Sequence, residues 1–580
     1  MHRTARFFSC VVFLALTSQI QIARSESGEQ KVLSNAKSGK PGGMLVVSER
    51  AEPKTLNPVI ATDRPSRDVI FRMHSDLIHI NRETQRTEAA LAKSWIVSKD
   101  GREYTLRLRR GVRFSDGHPF DADDVVFSFQ VYLDQKLHSP QLDLLTGNGQ
   151  TITVHKVDPY AVKVELARPD AAAERLFDSV AMLPRHLLEK AYKAGALSQV
   201  WNLATPPAEI AGLGPFRLKG YVPGQRITLE KNPYYWKTDG KGSALPYLDG
   251  ITFIVVASED AETIRFQAGD TDVISRLNAE NYALLEKDQE RRGYRLQDLG
   301  PGLEYNFLVF NLNDDTGGRF PEVARKQNWF RDVRFRQAVS AAIDRAGIIR
   351  LVYRGRATQL WSFVTPGNKL WLNTNLPQLA QSQTRARELL RSAGFSWTAE
   401  GRLLDPQREP VKFTILGSAS NSQRMQFANI IQQDLAKIGM DIVVASLEFR
   451  TFVQRVTQTH EYEAAVMGLV SGDADPNSEM NVWMSTGGTH IWNLTEKKPA
   501  TEWEAEIDRL MQQQASTLDY KARKRLYDRI QEIVAQQVPI ICVASPNILV
   551  GSKKTLGNFS PVVLDPYTLH NSEELYWNRN

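Results

Sequence analysis

Residues 91–129, LAKSWIVSKDGREYTLRLRRGVRFSDGHPFDADDVVFSF, switch from a two-residue repeat to a helical one, and the chain can be read outward from that switch. Within EYTLRLRRGVRF, Tyr104, Leu106 and Leu108 fall on one side of the repeat, and Thr105, Arg107 and Arg109 on the other. Such alternation predicts a half-buried strand. Gly111 and the Asp116-Gly117 pair supply turns. Asp121 then predicts a helix N-cap, with Asp123 and Asp124 in the first turn, where the helix dipole favours carboxylates. Val125, Val126, Phe129, Tyr132 and Leu133 make the apolar stripe of that helix.

On the N-terminal side, order is expected to begin with a strand at Met44–Val47. Residues 26–41, polar and rich in Gly, Ser and Lys, are expected to be a flexible lead-in. On the C-terminal side, GPFRLKGY and QRITLEKN flank Val222-Pro223-Gly224 and predict a hairpin. From about residue 304 strands and helices alternate. EYNFLVFNL is a strand, Asp332 caps a helix, and a helix over Ala386–Ala393 stops at Gly394. Strand VKFTIL, a helix ending at Gly439 and strand DIVVAS follow. The alternation predicts an α/β sheet.

The 580 residues are 42% hydrophobic and 24% charged, enough for roughly two to four domain-sized units. His2, Arg3 and Arg6 precede the ten-residue apolar run Phe7–Leu16, too short for a bilayer that needs about twenty. Ala23-Arg24-Ser25 fits a cleavage site before Glu26, so residues 1–25 are expected to be a signal peptide and the mature protein to be periplasmic. Removing Arg3, Arg6 and Arg24 takes the 72 basic residues to 69 against 66 acidic, a net +3. So small a balance, without a Lys/Arg cluster, argues against nucleic acid as a partner. Cys10 lies in the apolar run, which leaves Cys542 alone in VPIICVAS, where a buried thiol is expected.

Catalytic signatures are missing. The sequence has no HExxH, CxxC, Gly-x-Ser-x-Gly, P-loop or GxGxxG. No two of its ten histidines stand at a metal-binding helical spacing. Neither an enzymatic activity, a cofactor nor a metal is expected. A secreted hydrolase stays open as a second reading, since catalytic residues can assemble from distant positions. A ligand-sensing receptor is a third.

Three segments in order carry a resemblance: residues 91–129; GLGPFRLKGYVPGQRITLEKNPYYW with DAETIRFQAGDTDV; and DVRFRQAVSAAIDRAGIIRLVYRGRA. Together they resemble the solute-binding proteins of peptide/nickel-type ABC importers, the oligopeptide- and dipeptide-binding family. The likeness runs from about residue 42 to 545. It implies a two-lobed class II periplasmic-binding-protein fold, α/β, with a third domain. Lobe I would take 42–80, 205–303 and 542–580, the extra domain 81–204, and the second lobe 304–541. EYNFLVFNL would be one hinge strand. The implied function is capture of a small solute between the lobes and delivery to the membrane permease of an ABC importer, by a monomer. Peptides, nickel complexes, oligosaccharides and opine-like molecules all occur as ligands in the family.

MGLVSGDADPNSEMNVWMSTGGTHIWNL is the candidate binding segment, with Asp473, Asp475, Trp483, His490 and Trp492 among Gly and Ser. In peptide-binding members, an Asp shortly before an acidic-Pro pair anchors the ligand's amino group. Here Asp473 lies three residues before Pro476, where the family usually has four. Asp473 and Asp475 can equally be turn formers, and the two tryptophans core residues. Trp361 and Tyr305 complete the candidates.

Overall fold

The computed structural model describes residues 29–33, 37–142, 144–147, 150–314 and 316–578. The expected signal peptide lies outside them. The lead-in contains a short strand where flexibility was expected: β1 (Lys31–Leu33) pairs in parallel with residues 237–239, and Lys31 bridges to Glu88 at 2.7 Å. Composition alone misses this, because the pairing partner lies some two hundred residues away.

The strand β2 (Met44–Glu49) and helix α1 (Arg64–Met73) come next. The extra layer follows as a four-stranded antiparallel sheet in the order β3 (Ala92–Val97), β4 (Glu103–Leu108), β6 (Ala161–Glu165), β5 (Thr153–Asp158). On β4 the predicted alternation holds: Tyr104, Leu106 and Leu108 are buried and Arg107 is exposed. The helix α2 (Ala122–Tyr132) packs on this sheet. Asp121 accepts from the Asp123 amide at 2.8 Å, and the Asp124 carboxylate accepts from the Asp121 amide at 3.1 Å, a reciprocal cap.

The hairpin forms as β7 (Phe216–Val222) and β8 (Arg226–Lys231), with Gly224 at φ +66° in the turn. With β9 (Gly250–Val255), β10 (Val273–Ile274) and β11 (Tyr294–Pro301) these strands join β2 in one twelve-stranded sheet. β12 (Glu304–Phe310), helices α3 (Val333–Ala342) and α4 (Gln383–Ser392), β13 (Lys412–Ser418), α5 (Ser422–Ala436), β14 (Asp441–Leu447) and β15 (Ala464–Val470) follow, their strands continuing the same sheet. Gly439 ends the turn after α5 at φ +92°; a Cβ there would stand 2.4 Å from the Gly401 carbonyl oxygen, so glycine is required on both counts. Helices α6 (Glu502–Ser516) and α7 (Tyr520–Gln537) precede the last long strand, β16 (Ile540–Lys553). The main sheet runs β7-β8-β9-β2-β10-β16-β12-β15-β13-β14, with β11 and the short strand Ala357–Gln359 also on β16.

Two main cores result. One is drawn from residues 305–544, the other from 45–273 and 550–575. Two stretches of chain bridge them. Pro301-Gly302-Leu303 joins β11 to β12, and β16 passes continuously from Ile540–Ala544 in one core to Val550 in the other, half-exposed at residues 546–548 between them. Cys542 is buried on β16, and burial pushes its thiol up to about 12, which leaves it inert at neutral pH.

Candidate functional site

Between β15 and α6 the chain turns through the candidate segment, where the second lobe meets the extra domain. Asp473 is not a bare carboxylate. Arg175, on the short helix Ala173–Leu176 of the extra domain, donates to it from both Nε and Nη2. Arg175 Nη1 also donates to the Gln85 carbonyl at 2.9 Å, and the Ala474 amide donates to Asp473 Oδ1 at 2.6 Å. The side chains of Asp473 and Arg175 are 22% and 12% exposed, so the pair sits at the edge of the joint.

Asp475 faces inward. It caps the single turn Pro476–Glu479 by accepting from the Asn477 amide at 3.0 Å. Its two oxygens accept from Arg523 of α7 at 2.6 and 2.7 Å in a buried fork. Asn477 donates to Asp170 at 2.9 Å and the Ala171 amide to the Ala515 carbonyl at 2.8 Å, which ties the extra domain down on this lobe.

The remaining candidates pack behind the loop. Tyr305 on β12 is fully buried and donates to Glu479 Oε2 at 2.9 Å. Burial holds the Glu479 carboxyl above its usual range, against the hydroxyls of Ser471 and Tyr305. Trp483 and Trp492 are each 1% exposed. Trp483 packs on Phe363 with ring centroids 4.1 Å apart and on Trp492 at 5.5 Å, so neither indole offers a free face to a solute in this arrangement. His490 is fully buried beside Trp492. Trp361 is partly exposed and donates to the Leu379 carbonyl at 3.0 Å.

A second set of polar groups faces the joint between the lobes and was not singled out in the sequence. On the second lobe, Arg424 of α5 bonds Glu304 at 2.9 Å and Asn306 at 2.7 Å. On the first, Arg64 bridges to Asp565 at 3.1 Å, and Arg276 lies over the Tyr567 ring. Burial, with Asp565 beside it, pushes Tyr567 up to about 12, and Glu304 of the other lobe adds to the effect. Farther in, burial and Asp68 raise Glu49 to about 9. These residues sit hundreds of positions apart, and no local spacing marks them.

A cavity of about 100 Å³ lies within the first half of the fold behind α1, lined by Arg72, His74, Trp236 and Glu573 among others. Asp76, His79 and Asp178 at its edge could hold a metal by position alone. However, Arg82 already occupies both oxygens of Asp178 at 2.7 and 3.1 Å. Burial opposes charge on His79, but Asp76 and Asp178 raise it to about 9, so the cluster is already supplied with cations.

This architecture has known counterparts. The family model of bacterial extracellular solute-binding proteins, family 5, matches residues 86–490. The chain belongs to this family. A probable ABC transporter-binding protein of Deinococcus radiodurans is 28% identical over 516 residues, 85% of each chain. The oligopeptide-binding protein AppA of Bacillus subtilis is 27% identical over 565 residues, 95% of this chain and 94% of AppA. The structure of AppA in complex with a nonapeptide superposes with a TM-score of 0.69 at 25% identity, covering 93% of this chain and all of the AppA chain. An ABC transporter substrate-binding protein, CtaP of Listeria monocytogenes, shares the fold with a TM-score of 0.75 at 23% identity, over 93% of this chain and all of its own. The α/β architecture of two lobes with a third domain is therefore that of this family. Among the described residues no helix is long and apolar enough to cross a membrane.

Proposed function

We propose that this family-5 solute-binding protein captures a peptide or peptide-like solute at the joint between its lobes and passes it to an ABC importer's permease. Capture involves no catalytic step. The observation that carries this reading is Asp473: a half-buried carboxylate at the edge between its loop and the extra domain, engaged by a cation from that domain, and two residues from Ser471, whose amide donates to the Leu303 carbonyl at the crossing from β11 to β12. A carboxylate in such a place is costly unless a cation meets it. Arg175 supplies that cation, and a peptide's ammonium group would compete for the same oxygens. Trp361 is proposed to line the approach. Asp475, Tyr305, Trp483, His490 and Trp492 would act from behind, holding the loop in shape. The names of several relatives, including oligopeptide- and dipeptide-binding proteins, support a peptide-like solute.

We assign the lobes as 42–80, 205–303 and 542–580 against 304–541, with 81–204 as the extra domain, and the two bridging stretches as hinges. The protein would be exported through a cleaved leader and act as a monomer in the periplasm. Closure about two hinges predicts a compaction that ligand drives. Small-angle scattering with a panel of di- to pentapeptides should show a smaller radius of gyration with the peptide that also raises the melting temperature. A peptide that stabilises without compaction would refute capture by closure, and steady turnover of it would favour a hydrolase.

A further inference from the structure

His490, Glu496 and Glu504 come together in the second lobe, with ligand-capable atoms all within 4.8 Å of one another. Their side chains are 0%, 2% and 5% exposed. The histidine ring is oriented: Nδ1 lies 3.0 Å from the Val482 carbonyl oxygen, to which only an N–H can donate. In the neutral ring that leaves the Nε2 lone pair aimed at Glu496 Oε2, 3.3 Å away, and Glu504 Oε1, 3.8 Å away.

The outward oxygens of both carboxylates are held by other groups. Glu496 Oε1 accepts from the Ala500 amide. Glu504 Oε2 accepts from Thr501 Oγ1 at 2.7 Å, while Oε1, the oxygen facing the imidazole, also accepts from the Trp492 indole at 3.0 Å. Buried His490 Nε2 and Glu496 Oε2 are left without a hydrogen bond. A lone pair facing carboxylate oxygens is repulsive unless a positive charge stands between them. Protonation of the ring is one remedy, but at these distances neither carboxylate is placed to accept a good bond from Nε2–H. Protonation would also leave one negative charge in excess in the interior, next to Asp508, which is occupied with the Ser485 amide at 2.8 Å. Among the described residues, neither glutamate is ion-paired to a lysine or arginine.

We propose that His490, Glu496 and Glu504 form a three-ligand site for a divalent transition ion of the zinc type, with the fourth position left to the second oxygen of a carboxylate or to water. One imidazole nitrogen with two carboxylates is a ligand set suited to zinc, and the nitrogen disfavours calcium and magnesium. Ligands at about 2.0–2.1 Å in a tetrahedron stand about 3.3–3.4 Å apart, close to the Nε2–Oε2 separation here. A backbone carbonyl fixing Nδ1–H, and hydrogen bonds to the rear of each carboxylate, are the supports such ligands need. A divalent ion would bring the cluster to neutrality. It would also pin residues 490–496 to the start of α6, at the end of the loop that begins with Asp473. The ligands are spaced six and fourteen residues from His490 along a loop and a helix start, which a search for helical histidine pairs cannot detect.

The test uses the full exported chain, stripped with a chelator and titrated with Zn²⁺ alone, by calorimetry and by melting. The expected result is one equivalent bound and a melting temperature raised by several degrees. Glu496→Gln keeps an oxygen for the Ala500 amide, so it should fold, yet bind zinc at least about a hundredfold more weakly. Wild-type protein that takes up no zinc, and melts identically with zinc and with chelator, overturns the proposal whatever the variant does. So does zinc binding that survives Glu496→Gln unchanged, or that disappears instead with His79→Asn.

Discussion

Arg175→Met tests the competition proposed at Asp473. Arg175 donates two hydrogen bonds to Asp473 and one to the Gln85 carbonyl. Exposed ion pairs contribute about 0.2–1 kcal/mol, and breaking a fully buried one costs about 3–5 kcal/mol. With side chains 12% and 22% exposed, this pair falls between, at about 1–3 kcal/mol. Removing Arg175 should therefore lower the ligand-free melting temperature by a few degrees, at about 2–4 °C per kcal/mol for a unit of this size. A solute ammonium that binds Asp473 restores what the mutation removed. The same 1–3 kcal/mol should then reappear as affinity, a gain of about 5- to 150-fold. Asp473→Asn should have the opposite effect, weakening binding by about 2–5 kcal/mol, about thirtyfold or more. Adding Arg175→Met to it should recover nothing. Calorimetric titration of parent, both single mutants and the double mutant with one confirmed peptide completes the cycle. If Arg175→Met lowers the melting temperature and leaves affinity unchanged, Asp473 and Arg175 are only a strut between domains. The solute's charge must then be met by Arg424, Glu304, Arg64 or Asp565.

Two further outcomes follow from burial. Trp483→Ala should cost about 3–5 kcal/mol, read as a lower melting temperature, because the indole fills a core between Phe363 and Trp492; a loss of affinity with unchanged melting would instead place the ring against the solute. Glu573 sets an acid limit: burial alone would raise its carboxyl, but Lys237, 2.8 Å away, overrides it and holds it at about 2. A carboxyl depressed below its unfolded value of about 4.5 stabilises the fold above that pH and loses the contribution as pH falls from about 4.5 to 2. Lys237→Met should remove this contribution and reverse its sign, because burial then raises the carboxyl, at a cost of about 3 kcal/mol near neutrality, and acid titration of the two proteins followed by fluorescence measures it.

Much of the fold was legible because its signals are local. The alternation on β4, the Asp121 cap, the Gly224 turn and the glycines that end α4 and the turn after α5 each depend on residues within one turn or one hairpin. The candidate loop was legible as a composition, polar and aromatic among glycines. The roles of its residues were not. Asp473 and Asp475 are alike in sequence, two positions apart before the same proline, yet one meets Arg175 at an exposed edge and the other is sealed under Arg523. Trp483 and Trp492 read equally as stacking platforms or as core, and only their packing on Phe363 and on each other distinguishes these. The polar groups facing one another across the joint left no trace in any local window, and neither did the grouping of His490 with Glu496 and Glu504. The alternation of elements, their caps and their turns are written locally in the chain, because backbone preference and side-chain periodicity act over a few residues. Only the tertiary structure decided which charges are already paired and which faces remain open, because burial and Coulomb energy depend on distances in space that the chain sets by folding back on itself across hundreds of positions.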